Sequence, residues 1–287
     1  MMIIDMHFHP FCKEATWPDL EKVATAMWGT DVKKKDQFLP LLKGFATSTS
    51  ITGYIAMMDE YNIDKAVAVS FNVQTAYGVT IVTNDDLKNM VDQYPDRLIG
   101  FAGIDVPAPD AIKQLEYAIE SLELKGVKLV PPVQKFDISD PKFSSFFRKI
   151  RDYDIPLWTH TGHQVSTVGS IAKFGHPQLI DELALEFPEI VIIMGHMGIP
   201  WFWDAFSVVL RHPNVYVDIS AHPHFFSYFP FDLFTAYDIE DKVLFASDHP
   251  LSPWPQHIPA VEALPITTSF REKIMGINAA KILQIKI

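Results

Sequence analysis

The feature that most constrains the fold is an alternation of short apolar runs with amphipathic stretches along the whole chain. Eight runs of β-branched and other apolar residues occur, and they are continuously apolar instead of alternating with polar residues. This pattern is typical of parallel strands that are buried on both faces. The eight predicted strands are Ile3–Met6, Lys65–Phe71, Leu98–Asp105, Gly126–Val130, Pro156–His160, Ile190–Gly195, Val215–Ile219 and Val243–Asp248.

The stretches between these runs carry apolar residues at helical spacing. Thr83–Tyr94 opens with the polar sequence Thr-Asn-Asp-Asp and stops before Pro95, and both features are common signals for the ends of a helix. Eight strands interleaved with helices predict a TIM-like (β/α)8 barrel of the α/β class that spans residues 1–287 as one domain. An open doubly wound sheet is the alternative, although such sheets usually have fewer strands.

Residues 11–50 interrupt this alternation, because they contain no clear strand. They follow the first predicted strand, on the side of a barrel where loops build active sites. We therefore expect an insertion after the first strand that forms a partial lid over the site. An extra helix packed on the outside of the barrel is the alternative.

Composition and charge exclude several classes of protein. Hydrophobic residues make up 48% and charged residues 21% of the chain, which is ordinary for a folded soluble enzyme. The net charge of −11 argues against a nucleic-acid partner, since phosphate contacts need clustered Lys and Arg. No uncharged apolar run reaches the roughly 18 residues of a membrane span, and the N-terminus does not resemble a signal peptide. We expect a cytoplasmic protein that acts on a small molecule, without a membrane partner and with a homodimer left open.

Residues that bind metals or transfer protons follow four of the predicted strands. They are His7 and His9 on the first strand, His160 on the fifth, His196 after the sixth and Asp248 on the eighth. A TIM-like barrel gathers its functional groups at this end of the strands. Residues two apart on a strand point to the same side, so His7 and His9 would both face the barrel interior.

Four of these residues could converge on one divalent metal ion, because the first and eighth strands are neighbours in a closed barrel. The ligands would be His7, His9, His160 and Asp248. Neutral imidazoles and one carboxylate suit Zn²⁺, which we expect here, with Mn, Fe and Co as alternatives. His196 would then lie beside the metal, where an imidazole can activate bound water or protonate a substrate.

Three further residues are candidate substrate contacts. Lys128 lies at the end of the fourth strand and could form a salt bridge or contact an anionic substrate. His163 follows His160 by three residues and could face the same site. His222 flanks Pro223 in a predicted loop. It could contact the substrate or have no role, and the sequence favours neither.

Taken together, these motifs resemble the amidohydrolase superfamily. The sequences Gly-Val-Lys-Leu-Val-Pro-Pro, Gly-His-Met-Gly, Ser-Asp-His-Pro and the closing Asn-Ala-Ala-Lys-Ile-Leu are similar to its amidohydrolase-related branch. That branch contains aminocarboxymuconate-semialdehyde decarboxylase and several hydrolases, and the resemblance covers residues 2–284. It implies a TIM-like barrel, usually with one divalent metal.

The resemblance also implies roles for individual residues. The implied metal ligands are His7, His9, His160 and Asp248, and the implied water-activating or proton-transferring residue is His196. Related binuclear enzymes carry a carboxylated lysine on the fourth strand, and whether Lys128 is modified in this way stays open.

Two enzymatic functions follow. The first expectation is metal-dependent hydrolysis of a C–N or C–O bond, such as an amide or a lactone, with His196 and Asp248 handling protons. The alternative is non-oxidative decarboxylation of an unsaturated or aromatic acid, with Lys128 and His163 as candidates for holding the carboxylate. A barrel that had lost catalysis would have an incomplete site, whereas every expected position is filled.

Overall fold

A computed structural model describes residues 1–164 and 166–286. Its main feature is a sheet of eight parallel strands that follow one another in chain order. A short antiparallel hairpin of Phe71–Val73 and Val79–Ile81 lies outside this sheet. The strands of the main sheet are β1 (Ile4–Phe8), β2 (Lys65–Val69), β3 (Leu98–Gly103), β4 (Gly126–Leu129), β5 (Leu157–His160), β6 (Ile192–Gly195), β7 (Val215–Asp218) and β8 (Val243–Leu244).

Helices lie between the strands and after the last one. They are α1 (Leu20–Trp28), α2 (Val32–Ser48), α3 (Ile51–Glu60), α4 (Gln74–Tyr77), α5 (Asn84–Gln93), α6 (Ala111–Glu116), α7 (Pro131–Gln134), α8 (Ser144–Asp152), α9 (Pro177–Glu186), α10 (Phe202–Arg211), α11 (Phe231–Ala236), α12 (Trp254–Glu262), α13 (Thr268–Glu272) and α14 (Asn278–Ile282). The start of α5 shows why the sequence signals worked. The Thr83 side chain accepts a hydrogen bond from the Asp86 amide, and the Asp86 carboxylate accepts one from the Thr83 amide.

The two edges of the sheet meet, which closes the barrel. The amide of Met6 donates to the carbonyl of Phe245 at 3.0 Å, and the amide of Asp248 donates to the carbonyl of His7 at 2.9 Å. A parallel bridge also joins Phe8 to the residue after Asp248. The predicted TIM-like barrel is therefore confirmed, and the end of β1 lies directly beside the segment that follows β8.

The core has two apolar layers, one inside the barrel and one between the sheet and the helices. The large side chain of Trp158 fills much of the interior at the level of the strand ends and is fully buried. The buried residues of the interior layer that come from the strands and from the segment after β8 are Ile4, Met6, Val67, Val69, Phe101, Trp158, Ile193, Leu244 and Ala246.

A β-bulge in β1 lets two consecutive side chains point into the barrel. The pairing with β2 shifts between Asp5 and Phe8, which adds one residue to β1. Met6 belongs to the interior layer, and the ring centroid of the next residue, His7, lies 4.2 Å from that of Trp158 in the same layer. The bulge thus carries β1 from an apolar inner face to a functional one without ending the strand.

Seven of the eight strands are shorter than the sequence predicted, and β1 instead runs from Ile4 to Phe8. β2 ends at Val69 instead of Phe71, because Phe71 starts the separate hairpin. β8 ends at Leu244 instead of Asp248, whose backbone has a φ of 72°. Asp248 in this left-handed region cannot continue a strand, and the Phe245 amide already donates to the carbonyl of Ile274 at 2.8 Å, so single hydrogen bonds close the barrel here.

The segment 11–50, in which no clear strand was predicted, contains α1 and α2. Within residues 1–164 and 166–286, we find no helix with the length and apolar character needed to cross a membrane. One domain over residues 1–287 stays a prediction, and Ile287 lies outside the described residues.

Candidate active site

A cavity of about 230 Å³ lies at the carboxyl ends of the strands. Its two kinds of lining differ sharply in chemistry. The ionisable lining residues are His7, His9, Lys128, His160, His163, His196, His222 and Asp248. The large apolar lining residues are Phe11, Met27, Trp28, Phe38, Leu42, Phe71, Val130, Ile81 and Leu251. Such a combination of apolar walls with a few convergent polar groups is typical of a small-molecule site.

Three of the predicted metal ligands form one compact cluster. Asp248 Oδ1 lies 3.5 Å from His7 Nδ1 and 3.2 Å from His9 Nε2. One ligand atom from each of the three residues lies within 4.8 Å of the others. Two imidazoles and a carboxylate in this arrangement are a donor set for a divalent ion.

His160 lies outside this three-residue cluster but lines the same cavity. Its ring centroid lies 4.5 Å from that of His196, and its buried Nε2 has no hydrogen-bond partner among the described residues. His7 Nδ1 is buried and unpartnered in the same way. Buried nitrogens without a partner are costly unless something else binds them, so they fit a metal ion.

Burial keeps these imidazoles in the form that binds a metal. Desolvation lowers the pKa of His7 well below its usual value, with the nearby Lys128 as the second cause. Desolvation also lowers the pKa of His160 to about 3. Both side chains are therefore neutral near pH 7, and a neutral imidazole has the free lone pair that a metal requires.

A hydrogen-bonded chain fixes which nitrogen of His196 carries its proton. Ser220 Oγ lies 2.6 Å from Asp218 Oδ1 and donates to that carboxylate, so its oxygen is left to accept. His196 Nδ1 lies 2.8 Å from this oxygen and therefore donates to it. In the neutral ring, the lone pair is consequently on Nε2, the nitrogen that is left for the cavity.

The backbone around His196 is also held in an unusual form. His196 has a φ of 60°, and its amide donates to Asp218 at 2.8 Å. A Cβ at Gly195 would lie 2.2 Å from the Trp158 ring, so only glycine fits directly before the histidine. Strained backbone of this kind clusters at functional sites because surrounding contacts must hold it.

Lys128 lies on the cavity floor without a carboxylate partner among the described residues. Its Nζ lies 2.8 Å from His7 Nε2 and 3.1 Å from the ring centroid of Trp158. Desolvation lowers its pKa well below the usual value for lysine, with Asp248 the largest opposing charge. Of the two roles considered for Lys128, the salt bridge is therefore absent among the described residues, and the contact with an anionic substrate stays a prediction.

The other two predicted substrate contacts are less buried than His7 and His9. His163 is exposed, and its ring centroid lies 4.8 Å from that of Trp201. His222 is half-buried, and desolvation lowers its pKa. Both line the cavity, but neither belongs to the cluster of His7, His9 and Asp248.

The sequence reasoning missed several residues of this site. Asp218 and Ser220, which orient His196, lie two residues apart at the end of β7. Two polar residues at this spacing after a buried strand are a sequence signal for a functional site. The apolar wall residues Trp28 and Phe38 come from α1 and α2, and no local pattern indicates which residues of those helices face inward.

An eight-stranded barrel with imidazoles and a carboxylate gathered at the ends of its strands has the architecture of a TIM-barrel enzyme. Within that class, the chain belongs to the amidohydrolase family, because the family model described as Amidohydrolase matches residues 4–285. The resemblance seen in the sequence is thereby confirmed.

Individual relatives are distant but cover most of the chain. Gamma-resorcylate decarboxylase from Rhodococcus jostii (strain RHA1) is 24% identical in an alignment that covers 80% of this chain and 86% of that protein. An uncharacterized TIM-barrel protein from Bordetella bronchiseptica superposes with a TM-score of 0.77 at 22% identity, over 99% of both chains.

A third similar protein was crystallised with a metal. It is 5-carboxyvanillate decarboxylase from Novosphingobium aromaticivorans, a D314N mutant with bound manganese and 3-methoxy-4-hydroxy-5-nitrobenzoic acid. Its TM-score is 0.69 at 17% identity, over 99% of this chain and 97% of that one. At this identity the similarity establishes the fold.

Proposed function

We propose that this protein is a metal-dependent, non-oxidative decarboxylase of an aromatic acid. The proposal rests on the cavity. It contains a donor set for a divalent ion, the amine of Lys128, and walls of aromatic and aliphatic side chains. A flat ring with a carboxylate matches this combination of apolar walls and convergent polar groups. The names of the decarboxylases among its relatives support the same function.

This proposal replaces the first expectation from the sequence, which was hydrolysis of an amide or lactone. The relatives named above favour the decarboxylase alternative, and so does the wall composition. The cavity lining includes four phenylalanine and tryptophan side chains, which favour an aromatic ring over a polar amide; they are Phe11, Trp28, Phe38 and Phe71.

One divalent ion would be held by His7, His9 and Asp248, with His160 as the fourth ligand. The unpartnered Nε2 of His160 supports its inclusion. Zinc was the expectation from the sequence, and manganese, bound in the carboxyvanillate enzyme, is an equal candidate for nitrogen and oxygen donors. When bound, the ion would orient and polarise anionic oxygens of the substrate.

Lys128 would contribute the positive charge that holds the carboxylate. Its amine is buried beside His7 and has no carboxylate partner among the described residues. Binding of an anion would raise the depressed pKa of this amine and favour its protonated form. His163 and His222, which also line the cavity, would contact the distal part of the substrate.

His196 would handle the proton that decarboxylation requires. When the bond between the ring and the carboxylate breaks, carbon dioxide leaves and the ring carbon must take up a proton. Nε2 of His196 is free for the cavity, because Ser220 engages Nδ1. We assign His196 as the residue that takes up a proton from solvent at Nε2 and delivers it to the ring carbon, with Asp248 as the second candidate.

The experiment is a substrate screen with product analysis. Metal-replete enzyme is incubated with hydroxybenzoic acids, lactones and amides, and products are identified by chromatography and mass spectrometry. We expect the acids to be converted to the corresponding phenols, and neither lactones nor amides to be hydrolysed. Hydrolysis of a lactone or amide, without turnover of any acid, would restore the first expectation. A cytoplasmic location remains part of this proposal.

A further inference from the structure

A serine and a histidine form a buried pair at the edge of the cavity that the proposed chemistry does not use. Ser252 Oγ lies 3.0 Å from His257 Nδ1, and both residues are buried. Ser252 lines the cavity, whereas His257 lies behind it on α12. The pair is separate from the cluster of metal-binding residues.

The hydrogen bonds of His257 determine the direction of the bond to Ser252. Nε2 of His257 lies 3.1 Å from the carbonyl oxygen of Ile219, and a carbonyl can only accept, so Nε2 carries the proton. His257 is fully buried, and desolvation lowers its pKa to about 4. In the neutral ring, Nδ1 is therefore the acceptor, and Ser252 must donate its hydroxyl proton to it.

Because Ser252 donates its proton to His257, its oxygen offers only lone pairs to a group in the cavity. Its single proton is directed to His257, away from the cavity, so any group that meets Ser252 Oγ from the cavity side must itself be a hydrogen-bond donor. We propose that Ser252, oriented by His257, is a specificity-determining residue that selects an aromatic substrate bearing a hydroxyl group over one without a donor. Ser252 contacts the substrate, and His257 is a positioning residue.

The inference rests on the proposed function for the identity of the substrate as an aromatic acid. The position of Ser252 supports a contact with a ring substituent. Its amide donates to the carbonyl of Asp248 at 3.1 Å, which fixes the serine beside the polar floor. A hydroxyl that meets a buried acceptor forms a hydrogen bond, whereas a substituent without a donor leaves that acceptor unpaired.

The test compares ligands that differ only in the donor. Dissociation constants of 2-, 3- and 4-hydroxybenzoate are measured on metal-replete enzyme by calorimetry, each against the fluorobenzoate with fluorine at the same position. Fluorine is small and carries no proton. At one ring position, we expect the wild-type enzyme to bind the hydroxy acid about tenfold more tightly than the fluoro acid or better.

The variants assign that preference to the pair. Ser252→Ala should reduce it to within about twofold of unity, because the buried acceptor is gone. His257→Asn should retain most of it, since the amide oxygen can accept the Ser252 proton in place of Nδ1. His257→Phe should lower it, because Ser252 can then turn its proton toward the cavity. Ser227→Ala, at an exposed serine, is the control and should match the wild type.

Circular dichroism and thermal unfolding establish that each variant is folded before binding is compared. The proposal is overturned if no ring position shows a preference for the hydroxy acid, or if Ser252→Ala keeps the preference. It is also overturned if His257→Phe and the wild type discriminate equally. Because the readout is binding, discrimination without release of carbon dioxide would refute the decarboxylase and leave the Ser252 assignment standing. Decarboxylation without discrimination would support the decarboxylase and refute the Ser252 assignment.

Discussion

Nδ1 of His196 is occupied by its hydrogen bond to Ser220, which leaves Nε2 as the nitrogen that can meet a substrate in the cavity. Ser220 accepts the Nδ1 proton, while Asp218 holds both Ser220 and the His196 amide. The ring is thus presented to the cavity by Nε2 in a fixed orientation. A histidine held in this way can exchange a proton with a substrate through Nε2.

We predict that His196→Asn retains its metal and loses turnover. General acid–base catalysis is typically worth 10²- to 10⁴-fold in rate, so kcat should fall within about that range. The measurements are steady-state kinetics and metal content on the same preparation. Loss of metal in the variant would instead make His196 a ligand, and a decrease of less than about tenfold would remove it from the chemistry.

We predict that His7→Ala loses its bound metal. Its Nδ1 faces Asp248, and its removal breaks the three-residue cluster. Elemental analysis after reconstitution should give about one ion per wild-type chain and less than about 0.2 per variant chain. His212→Ala is a matched control, because His212 is buried but pairs with Asp181 away from the cavity. Equal metal content in the His7 variant and the control would contradict the ligand assignment.

At the scale of elements, α1 and α2 supply one wall of the cavity to a barrel that would otherwise be open there. Met27 and Trp28 come from the end of α1, and Phe38 and Leu42 come from α2. The rings of Trp28 and Phe38 stack with centroids 5.6 Å apart. The partial lid expected for residues 11–50 is compatible with this placement and stays a prediction.

We predict that Phe38→Ala weakens substrate binding more than it slows the chemical step. Removing an aromatic wall takes away contacts that are equally present in the ground state and the transition state. Full burial of such a ring is worth about 1.5–3 kcal/mol and Phe38 is half-buried, so KM should rise by about threefold or more while kcat changes little. Leu41→Ala, at an exposed position of the same helix, should leave KM unchanged. A loss confined to kcat would place α2 in a role other than substrate binding.

The order and type of the strands could be predicted because burial on both faces leaves a direct mark in the sequence. The bulge in β1 could not, because the sequence of β1 is equally compatible with a regular strand. The left-handed backbone at His196 and Asp248 depends on contacts from distant elements and has no local signal. The metal-binding residues could be predicted because their residue types and their places at strand ends are read directly from the sequence. The wall from α1 and α2 and the pair of Ser252 with His257 depend on tertiary contacts and could not be predicted.

At the scale of the whole molecule, buried neutral histidines make the fold sensitive to acid. The pKa of His257 is lowered by burial from 6.5 to about 4, so the unfolded chain binds its proton more tightly than the folded one. This contribution to stability is complete above about pH 6.5 and is lost as the pH falls toward about 4. Asp5 acts in the opposite direction, since burial raises its pKa to about 6.

We therefore predict that the free energy of unfolding depends more steeply on pH in the wild type than in His257→Asn. The contribution of Asp5 is present in both proteins and cancels in this comparison. Between about pH 7.5 and about pH 5.5, the wild type should lose about 1 kcal/mol more of its free energy of unfolding than the variant does. Urea unfolding at the two pH values measures this difference. Parallel losses in both proteins would mean that His257 is not buried in its neutral form.

Release of carbon dioxide from the substrate carboxylate tests the central claim most directly. Hydroxybenzoic acids isotopically labelled in the carboxyl group are incubated with metal-replete enzyme, with the same enzyme after chelation, and with the His7→Ala variant. The account predicts labelled carbon dioxide from at least one acid with the metal-replete enzyme alone, and its recovery when Mn²⁺ or Zn²⁺ is returned to the chelated enzyme. Retention of the label in the acid, together with metal-dependent hydrolysis of a lactone or amide, would contradict it.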